Sequence, residues 1–234
     1  MVKTFDFERA WLGKLSACLA ESAGEEIRHL VMAGSEELSA QSGSTMVIEW
    51  TQRAMQRLES LADAETANSV LAGCACQHSR EGLRAARQAY ETTGELAAAH
   101  RILQEQFESF LRDSLHLREE HVEAVVSRGW GLAGILEGNR ILATKIPKSG
   151  TLATYLAETD TEKRRQLYCH CPRVRDILKT RESLPVIYCY CGAGFYKGIW
   201  EEILQAPVRV EVLQSVLGGD EVCSIAVYLP TGAR

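Results

Sequence analysis

The fold of this chain is decided by the stretch VRVEVLQSVLGGDEVCSIAVYL, residues 208–229. In its first half, valines alternate with Arg209 and Glu211, which is the period of a strand with one buried face. Gly218-Gly219-Asp220 is a hairpin-type turn signal, and the apolar run Val222–Leu229 follows it. The stretch therefore predicts a pair of antiparallel strands.

Helices and further strands are expected upstream of this pair. The run Ile141–Ile146 alternates loosely, and Val186–Cys191 is rich in β-branched and aromatic residues, so both are predicted to be strands. Helical patterns cover approximately residues 151–168, 174–179 and 196–204. This mixture of elements is typical of an α+β domain.

The first 128 residues are dominated by helical periodicity. The first helix is expected over residues 6–22, with apolar positions at Phe7, Trp11, Leu15, Cys18 and Leu19. Met46–Leu61 is the clearest amphipathic helix, and one long helix is predicted from Glu95 to about Leu117. The segment Gly129–Gly134 contains three glycines and marks the point where helical periodicity gives way to strand-like runs. The expected architecture is α+β, with a helical region at 1–128 followed by an α+β domain with an antiparallel sheet at 129–234.

Composition limits the class of protein. The chain has 234 residues, a net charge of −5 and an isoelectric point near 5.8, so it lacks the basic footprint of a nucleic-acid binder. No apolar run approaches the roughly 18 residues that a membrane span needs. The charged residues Asp6, Glu8 and Arg9 stand where a signal peptide has its apolar stretch. We therefore expect a cytoplasmic protein with neither nucleic acid nor membrane as a partner.

Cysteine is the informative residue type. The chain has eight, and five of them are Cys169, Cys171, Cys189, Cys191 and Cys223. In a reducing compartment such a cluster indicates metal or redox chemistry more than structural disulfides. The two Cys-x-Cys triplets together supply four sulfurs, and four thiolates can surround Zn²⁺, although zinc ligands are usually separated by two to four residues. Buried structural cysteines and thiol redox chemistry remain alternatives.

A second group, Cys74, Cys76 and His78, follows Gly73 at a predicted helix end. Three such donors at spacings of two residues are able to bind one ion, and the backbone freedom of glycine permits the chain to wrap around it. A connection between helices built from small residues explains the pattern equally well.

Four aromatic residues form a third candidate group: Trp130, Phe195, Tyr196 and Trp200. Aromatic side chains line most small-molecule pockets, so these four are candidates for the walls of a ligand-binding site. Ordinary core packing accounts for them as well.

Two segments carry a resemblance to known families. The run YCYCGAGFYKGIWEEIL at 188–204, together with PVRVEVLQSVLGGDEVC at 207–223, resembles the 4-vinyl reductase domain superfamily. With Cys169-His170-Cys171-Pro172, the chain is more similar to an uncharacterised, cysteine-rich bacterial family related to that superfamily. The Gly-Asp-x-x-Cys pattern at 219–223 is similar to the 2-amino-thiazoline-carboxylate hydrolase family.

The resemblance implies a vinyl-reductase-like α+β domain that binds a small molecule beside a zinc ion held by cysteines and a glutamate. Position by position, Cys189 resembles the first of these ligands, Glu211 the glutamate and Cys223 the last cysteine. Gln214 falls near the remaining position, where Cys191, Cys169 or Cys171 would have to supply the sulfur.

Three functions follow as hypotheses. The leading one is a cytoplasmic zinc-binding protein whose C-terminal domain binds or senses a small molecule, with the helical region lining the pocket or forming a homodimer. The first alternative is a hydrolase of a C–N or thioester bond, which uses either a metal-bound water or a cysteine nucleophile with His170 or His78 as the base. The second alternative is a thiol redox or iron–sulfur protein, although the familiar ferredoxin spacings are absent.

Overall fold

The computed structural model describes residues 6–180 and 182–232. Within them the chain is helical as far as Val126, and a four-stranded antiparallel sheet with further helices follows. The predicted α+β class is confirmed. No helix in the described ranges is both long and apolar enough to cross a membrane.

From residue 6 to Val126, the described chain forms α1 (Phe7–Ser22), α2 (Glu25–Met32), α3 (Ser44–Leu61), α4 (Ala64–Gly73), α5 (Arg80–Thr93), α6 (Leu96–Ser109) and α7 (Glu119–Val126). The side chains of Asp6, Asp63 and Ser79 cap α1, α4 and α5 by accepting a hydrogen bond from the backbone N–H three residues later. Gly94, with φ of 71°, ends α5 in the left-handed conformation. These local signals explain why the helix positions follow the sequence pattern closely.

The single helix predicted from Glu95 to Leu117 is wrong at its C-terminal end. After α6 the backbone widens into a π-helical turn at Phe110–Ser114, and the N–H of Leu115 bonds to the carbonyl of Phe110. The change of hydrogen-bond register stops the α-helix, and His116 then has a φ of 50°.

The C-terminal part contains β1 (Ile135–Glu137), β2 (Arg140–Thr144), α8 (Leu152–Ala157), α9 (Thr161–Tyr168), α10 (Pro172–Ile177), α11 (Tyr190–Leu204), β3 (Arg209–Gln214) and β4 (Ser224–Tyr228). The strand order is β1-β2-β4-β3, and all the neighbouring strands are antiparallel. The predicted pair β3–β4 is confirmed, with Val210 opposite Val227 and Val212 opposite Ile225. Because β4 lies inside the sheet, the four residues Ser224–Val227 are buried.

Two further sequence predictions are corrected. Val186–Cys191 is not a strand: Val186–Cys189 forms a 3₁₀ turn, and α11 begins at Tyr190. Tyr188 is the buried residue of the run that suggested a strand, and the centroid of its ring lies 5.8 Å from that of Trp11, so packing on a distant residue overrides β propensity here. The predicted helix over 151–168 is interrupted where Glu158 accepts hydrogen bonds from the N–H groups of Thr159 and Asp160, each at 2.9 Å.

The described residues divide into two compact units that are interleaved along the chain. The first unit contains the residues up to Ala75 and Cys171–Gly194, and its core includes Leu15, Leu19, Leu58 and Leu71. The second unit contains Cys76–His170 and the residues from Phe195 onward, and its core includes Tyr155, Tyr168, Ile199 and Trp200. These units do not coincide with the sequence division at residue 128.

Candidate thiol site

The eight cysteines are distributed over both units. The first unit holds Cys18, Cys74, Cys171, Cys189 and Cys191, and the second holds Cys76, Cys169 and Cys223. Two of the three short cysteine motifs are therefore divided between the units, because Cys169 and Cys171 belong to different units, as do Cys74 and Cys76. Cys189 and Cys191 both belong to the first unit.

The best-defined thiol pair joins α1 to the end of α4. Cys18 lies on α1 between the fully buried Leu15 and Leu19, and Cys74 is the C-cap residue of α4. The two thiols are hydrogen-bonded to each other. Cys18 is half-buried, whereas Cys74 is only 1% exposed. Cys18 is therefore the partly exposed residue of the pair, and Cys74 is shielded.

Gly73 provides the space for this pair. A Cβ atom placed on Gly73 would lie 2.5 Å from the Sγ of Cys18, which is closer than any real carbon–sulfur contact. The Cys74 thiol also lies 3.2 Å from the carbonyl oxygen of Val70, which is a second acceptor within its reach. Since a thiol has a single hydrogen, Cys74 donates either to this carbonyl or to the sulfur of Cys18.

The pair is electrostatically asymmetric. The hydrogen bond from Cys74 lowers the pKa of Cys18 to about 7, and the Lys14 ammonium lowers it further, against the opposing effects of burial and Glu21. The same hydrogen bond, with burial, raises the pKa of Cys74 far above the ordinary value. Near neutral pH, Cys18 is therefore the thiolate and Cys74 the protonated donor. Lys14 is held at this end of α4 because its Nζ donates to the carbonyl of Ala75 at 2.8 Å.

The buried Arg173 and the next cysteine of the first unit, Cys171, both contact the hydroxyl of Tyr188. Cys171 is the N-cap residue of α10, and its Sγ lies 3.2 Å from the hydroxyl of Tyr188. Arg173, which is 3% exposed, donates to the same hydroxyl at 3.3 Å, forms an ion pair with Glu8 and lies over the ring of Trp11 at 4.4 Å. Burial raises the pKa of Tyr188, so its hydroxyl keeps its proton. Sequence analysis did not identify this network.

The remaining two cysteines of the first unit precede Gly194 at the start of α11. Cys189 closes the 3₁₀ turn, and Cys191 is the second residue of the helix. Both are half-buried.

The second unit presents a different kind of thiol. Cys223 precedes β4, and its backbone N–H donates to the Tyr168 hydroxyl at 3.0 Å, while that hydroxyl donates to the carbonyl of Lys145. Burial raises the pKa of the Cys223 thiol, so it remains protonated at neutral pH. Cys169 is the C-cap residue of α9 and is half-buried.

Cys74, Cys76 and His78 lie on the connection from α4 to α5, and a metal-binding role for them stays a prediction. Cys74 is buried in the first unit, and Cys76 is exposed in the second. The His78 ring packs against Phe195 with centroids 6.3 Å apart, and its Nδ1 lies 3.1 Å from the carbonyl oxygen of Ser79. The connection between α4 and α5 accounts for these contacts.

Glu211, the glutamate of the zinc set implied by the resemblance, is engaged in contacts within the second unit. It accepts a hydrogen bond from the Tyr228 hydroxyl at 2.7 Å and lies 3.6 Å from Arg209. In residues 6–180 and 182–232, no three His, Cys, Asp or Glu side chains are grouped so that they could hold a metal ion. The zinc site with Cys189, Glu211 and Cys223 stays a prediction.

The aromatic candidates are mostly core residues of the second unit. Trp130, Tyr196 and Trp200 are buried, and Phe195 is half-buried. The Tyr196 hydroxyl donates to the carbonyl of Gly131 at 3.2 Å, and the Trp130 ring packs against Tyr155 with centroids 6.1 Å apart. Their packing has a structural explanation, and a ligand-binding role for them stays a prediction.

Cys18 is the functional candidate that sequence reasoning missed, because its spacing placed it among the apolar positions of the first helix. The signals that accompany it are Lys14 one turn earlier and a Gly73-Cys74 pair at a later helix end. Neither signal is specific until the packing of α1 on α4 is known.

Comparison with known proteins adds one finding. A model of a family of unknown function (DUF6144) matches residues 151–232, the segment from α8 to β4. No curated protein and no solved structure matches the chain. The matched segment contains Cys191 but neither Cys18 nor Cys74.

Proposed function

We propose that this protein is a thiol redox protein whose active pair, Cys18 and Cys74, forms a reversible disulfide. The observation that supports the proposal is the position of the Cys18 sulfur against Gly73, the residue before Cys74, together with the hydrogen bond between the two thiols. The two residues are 56 positions apart in the sequence and meet where α1 packs on α4. A partly exposed thiolate beside a shielded, protonated thiol is the arrangement that a nucleophile and its resolving partner require.

The reaction begins at Cys18 with a small-molecule disulfide, such as glutathione disulfide, as the oxidant. The Cys18 thiolate attacks one sulfur of the oxidant, forms a mixed disulfide and releases the first small thiolate. Cys74 then attacks the Cys18 sulfur, its proton passes to the second small thiolate as this leaves, and the intramolecular disulfide forms. Two protein thiols are oxidised, and one disulfide is reduced to two thiols.

The difference in burial assigns Cys18 as the nucleophile and Cys74 as the resolving thiol. The half-buried Cys18 can meet an external disulfide, whereas Cys74, at 1% exposure, reacts only with a sulfur that is already bound to the protein. The sulfurs have to move from hydrogen-bond contact to a bond of about 2.05 Å. Cys74 lies just beyond the last residue of α4, so this movement does not require the helix itself to unwind.

The hydrolase alternative has less support from the geometry. An acyl-transfer cysteine needs a base within hydrogen-bond reach, usually a histidine. The groups that set the charge of Cys18 are the Cys74 thiol, Lys14 and Glu21. This environment favours thiol–disulfide chemistry over proton abstraction by an imidazole.

The test is disulfide mapping after incubation in glutathione redox buffers. The fully reduced protein is equilibrated at a series of ratios of reduced to oxidised glutathione, quenched with acid, alkylated and digested for mass spectrometry. We expect a peptide cross-linked through Cys18 and Cys74 that increases with the oxidised fraction and is lost in Cys18→Ser and Cys74→Ser. Cys76→Ser, which alters the exposed neighbour of Cys74, is the matched control and should form the cross-link normally. A wild-type protein that never forms the cross-link would overturn the proposal.

A further inference from the structure

The C-terminal end of α4, residues Ala72–Cys74, is approached closely by two other helices of the first unit. On one side, the Cys18 sulfur of α1 occupies the space left by the missing side chain of Gly73. From α11, Gly194 makes a second close approach, since a Cβ atom placed on it would lie 1.9 Å from the carbonyl oxygen of Ala72. At this point α11 and α4 are in backbone contact, with no side chain between them.

The contact at Gly194 brings Cys191 to the end of α4. Residues three apart lie on the same face of a helix, so Cys191 is one turn from Gly194 on the face that packs on α4. Cys74 follows Ala72 by two residues at the end of the same helix. The charge of Cys191 acts on Cys74, as does the charge of Cys18. Cys74 is therefore the thiol that the other two share.

We propose that Cys191 is a third thiol of the same site and takes the disulfide over from Cys18 by exchange at Cys74. In this step the Cys191 thiolate attacks the Cys74 sulfur of the Cys18–Cys74 disulfide. The Cys74–Cys191 bond forms, the Cys18–Cys74 bond breaks, and Cys18 departs as a thiolate. The proton of Cys191 goes to solvent. No oxidant is consumed, because one disulfide replaces another. The inference rests on the proposed function, since it needs the first disulfide.

The sulfur that Cys191 attacks follows from the leaving group. In thiol–disulfide exchange the sulfur that is more stable as a thiolate leaves faster. Of the two sulfurs in the first disulfide, Cys18 is the better leaving group, because burial raises the pKa of Cys74 and disfavours a thiolate there. Attack at Cys74 therefore releases Cys18 and transfers the cross-link from α1 to the first turn of α11.

The experiment is a time course of disulfide formation in the wild-type protein. Reduced protein is mixed with glutathione disulfide, samples are quenched with acid at intervals, and the thiols are alkylated before digestion and mass spectrometry. We expect the Cys18–Cys74 cross-link to appear first and the Cys74–Cys191 cross-link to grow as the first one declines. The wild-type course needs no variant, so it stays informative even if a variant folds poorly.

Two variants sharpen the result. Cys191→Ser should form Cys18–Cys74 at the wild-type rate and stop there, whereas Cys76→Ser should follow the complete wild-type course. If Cys18–Cys74 accumulates without any Cys74–Cys191, the role of Cys191 is refuted and the proposed function stands. If neither cross-link forms, the proposed function itself fails. If Cys18→Ser forms Cys74–Cys191 at the wild-type rate, Cys18 is not the donor and the exchange is refuted.

Discussion

Cys18 of the first unit and Cys223 of the second show opposite behaviour of the same side chain. Burial raises the pKa of Cys223, whose surroundings are organised by the Tyr168 hydroxyl and the start of β4. Cys18 is also partly buried, but a hydrogen bond from Cys74 outweighs the cost of desolvation and lowers its pKa to about 7. The comparison teaches that a donor placed at the sulfur, more than exposure alone, decides which cysteine is reactive.

The largest effect on stability is expected from a substitution that forces apart the close contact of α11 with α4, beside the reactive pair. Gly194→Ala places a methyl group against the backbone of Ala72, and overpacking at the upper end of the usual range should lower the free energy of unfolding by about 3 kcal/mol. Gly13→Ala in α1, which has open space around it, is the control and should be neutral or slightly stabilising. Urea denaturation followed by circular dichroism measures both. Equal stability of the two variants would show that α11 does not pack on α4.

The second effect is chemical and tests the hydrogen bond directly. Cys74→Ala should move the pH midpoint of Cys18 alkylation by iodoacetamide from about 7 upward by more than one unit, toward an ordinary thiol. The thiolate fraction at pH 7 then falls from about half to about 3%. The rate at pH 7 should fall several-fold, because greater intrinsic nucleophilicity offsets part of the loss.

The alkylation rate is expected to rise with pH through the midpoint and to level off above it, since only the deprotonated sulfur reacts. Cys223→Ser is the control, and its Cys18 midpoint should equal that of the wild type. An unchanged midpoint in Cys74→Ala would mean that Cys74 does not set the reactivity of Cys18.

A substitution beside Cys223, in the second unit, should lower the stability of the protein without changing the reactivity of Cys18. Tyr168→Phe leaves the Cys223 N–H and the Lys145 carbonyl without their partner, which should cost about 1–2 kcal/mol in the free energy of unfolding. The Cys18 alkylation midpoint should stay at its wild-type value, because Tyr168 belongs to the second unit. Denaturation and alkylation on the same preparation measure the two quantities. A Cys18 midpoint that moves with this variant would contradict the separation of roles.

The smallest effect is expected from the surface charge. Lys14→Gln removes the ammonium that stabilises the Cys18 thiolate, and the pH midpoint should rise by a few tenths of a unit, because an exposed charge is screened by solvent. Added salt should not raise the wild-type midpoint, because it screens the opposing Glu21 carboxylate together with Lys14. A shift as large as that of Cys74→Ala would make Lys14, and not the hydrogen bond, the main determinant.

The successes and failures of sequence analysis follow from the range of each signal. The β3–β4 pair was predicted correctly because alternation and a turn signal are local. Val186–Cys189 was predicted wrongly as a strand because burial of Tyr188 against Trp11, far away in sequence, overrides β propensity. The spacing of the cysteines in the sequence did not identify the pair Cys18 and Cys74, because the two residues meet only through the packing of α1 on α4.

The sequence by itself determined the α+β class, most helix starts and the antiparallel hairpin of β3 and β4, since periodicity and capping act within a few residues. Only the tertiary structure decided which thiols meet. Cys18 and Cys74 come together because α1 packs on α4 where Gly73 leaves space for a sulfur, and Cys191 joins them because Gly194 lets α11 touch the same helix end. The physical reason is that a thiol is activated by donors and charges within a few ångströms, and packing places them there from distant parts of the chain.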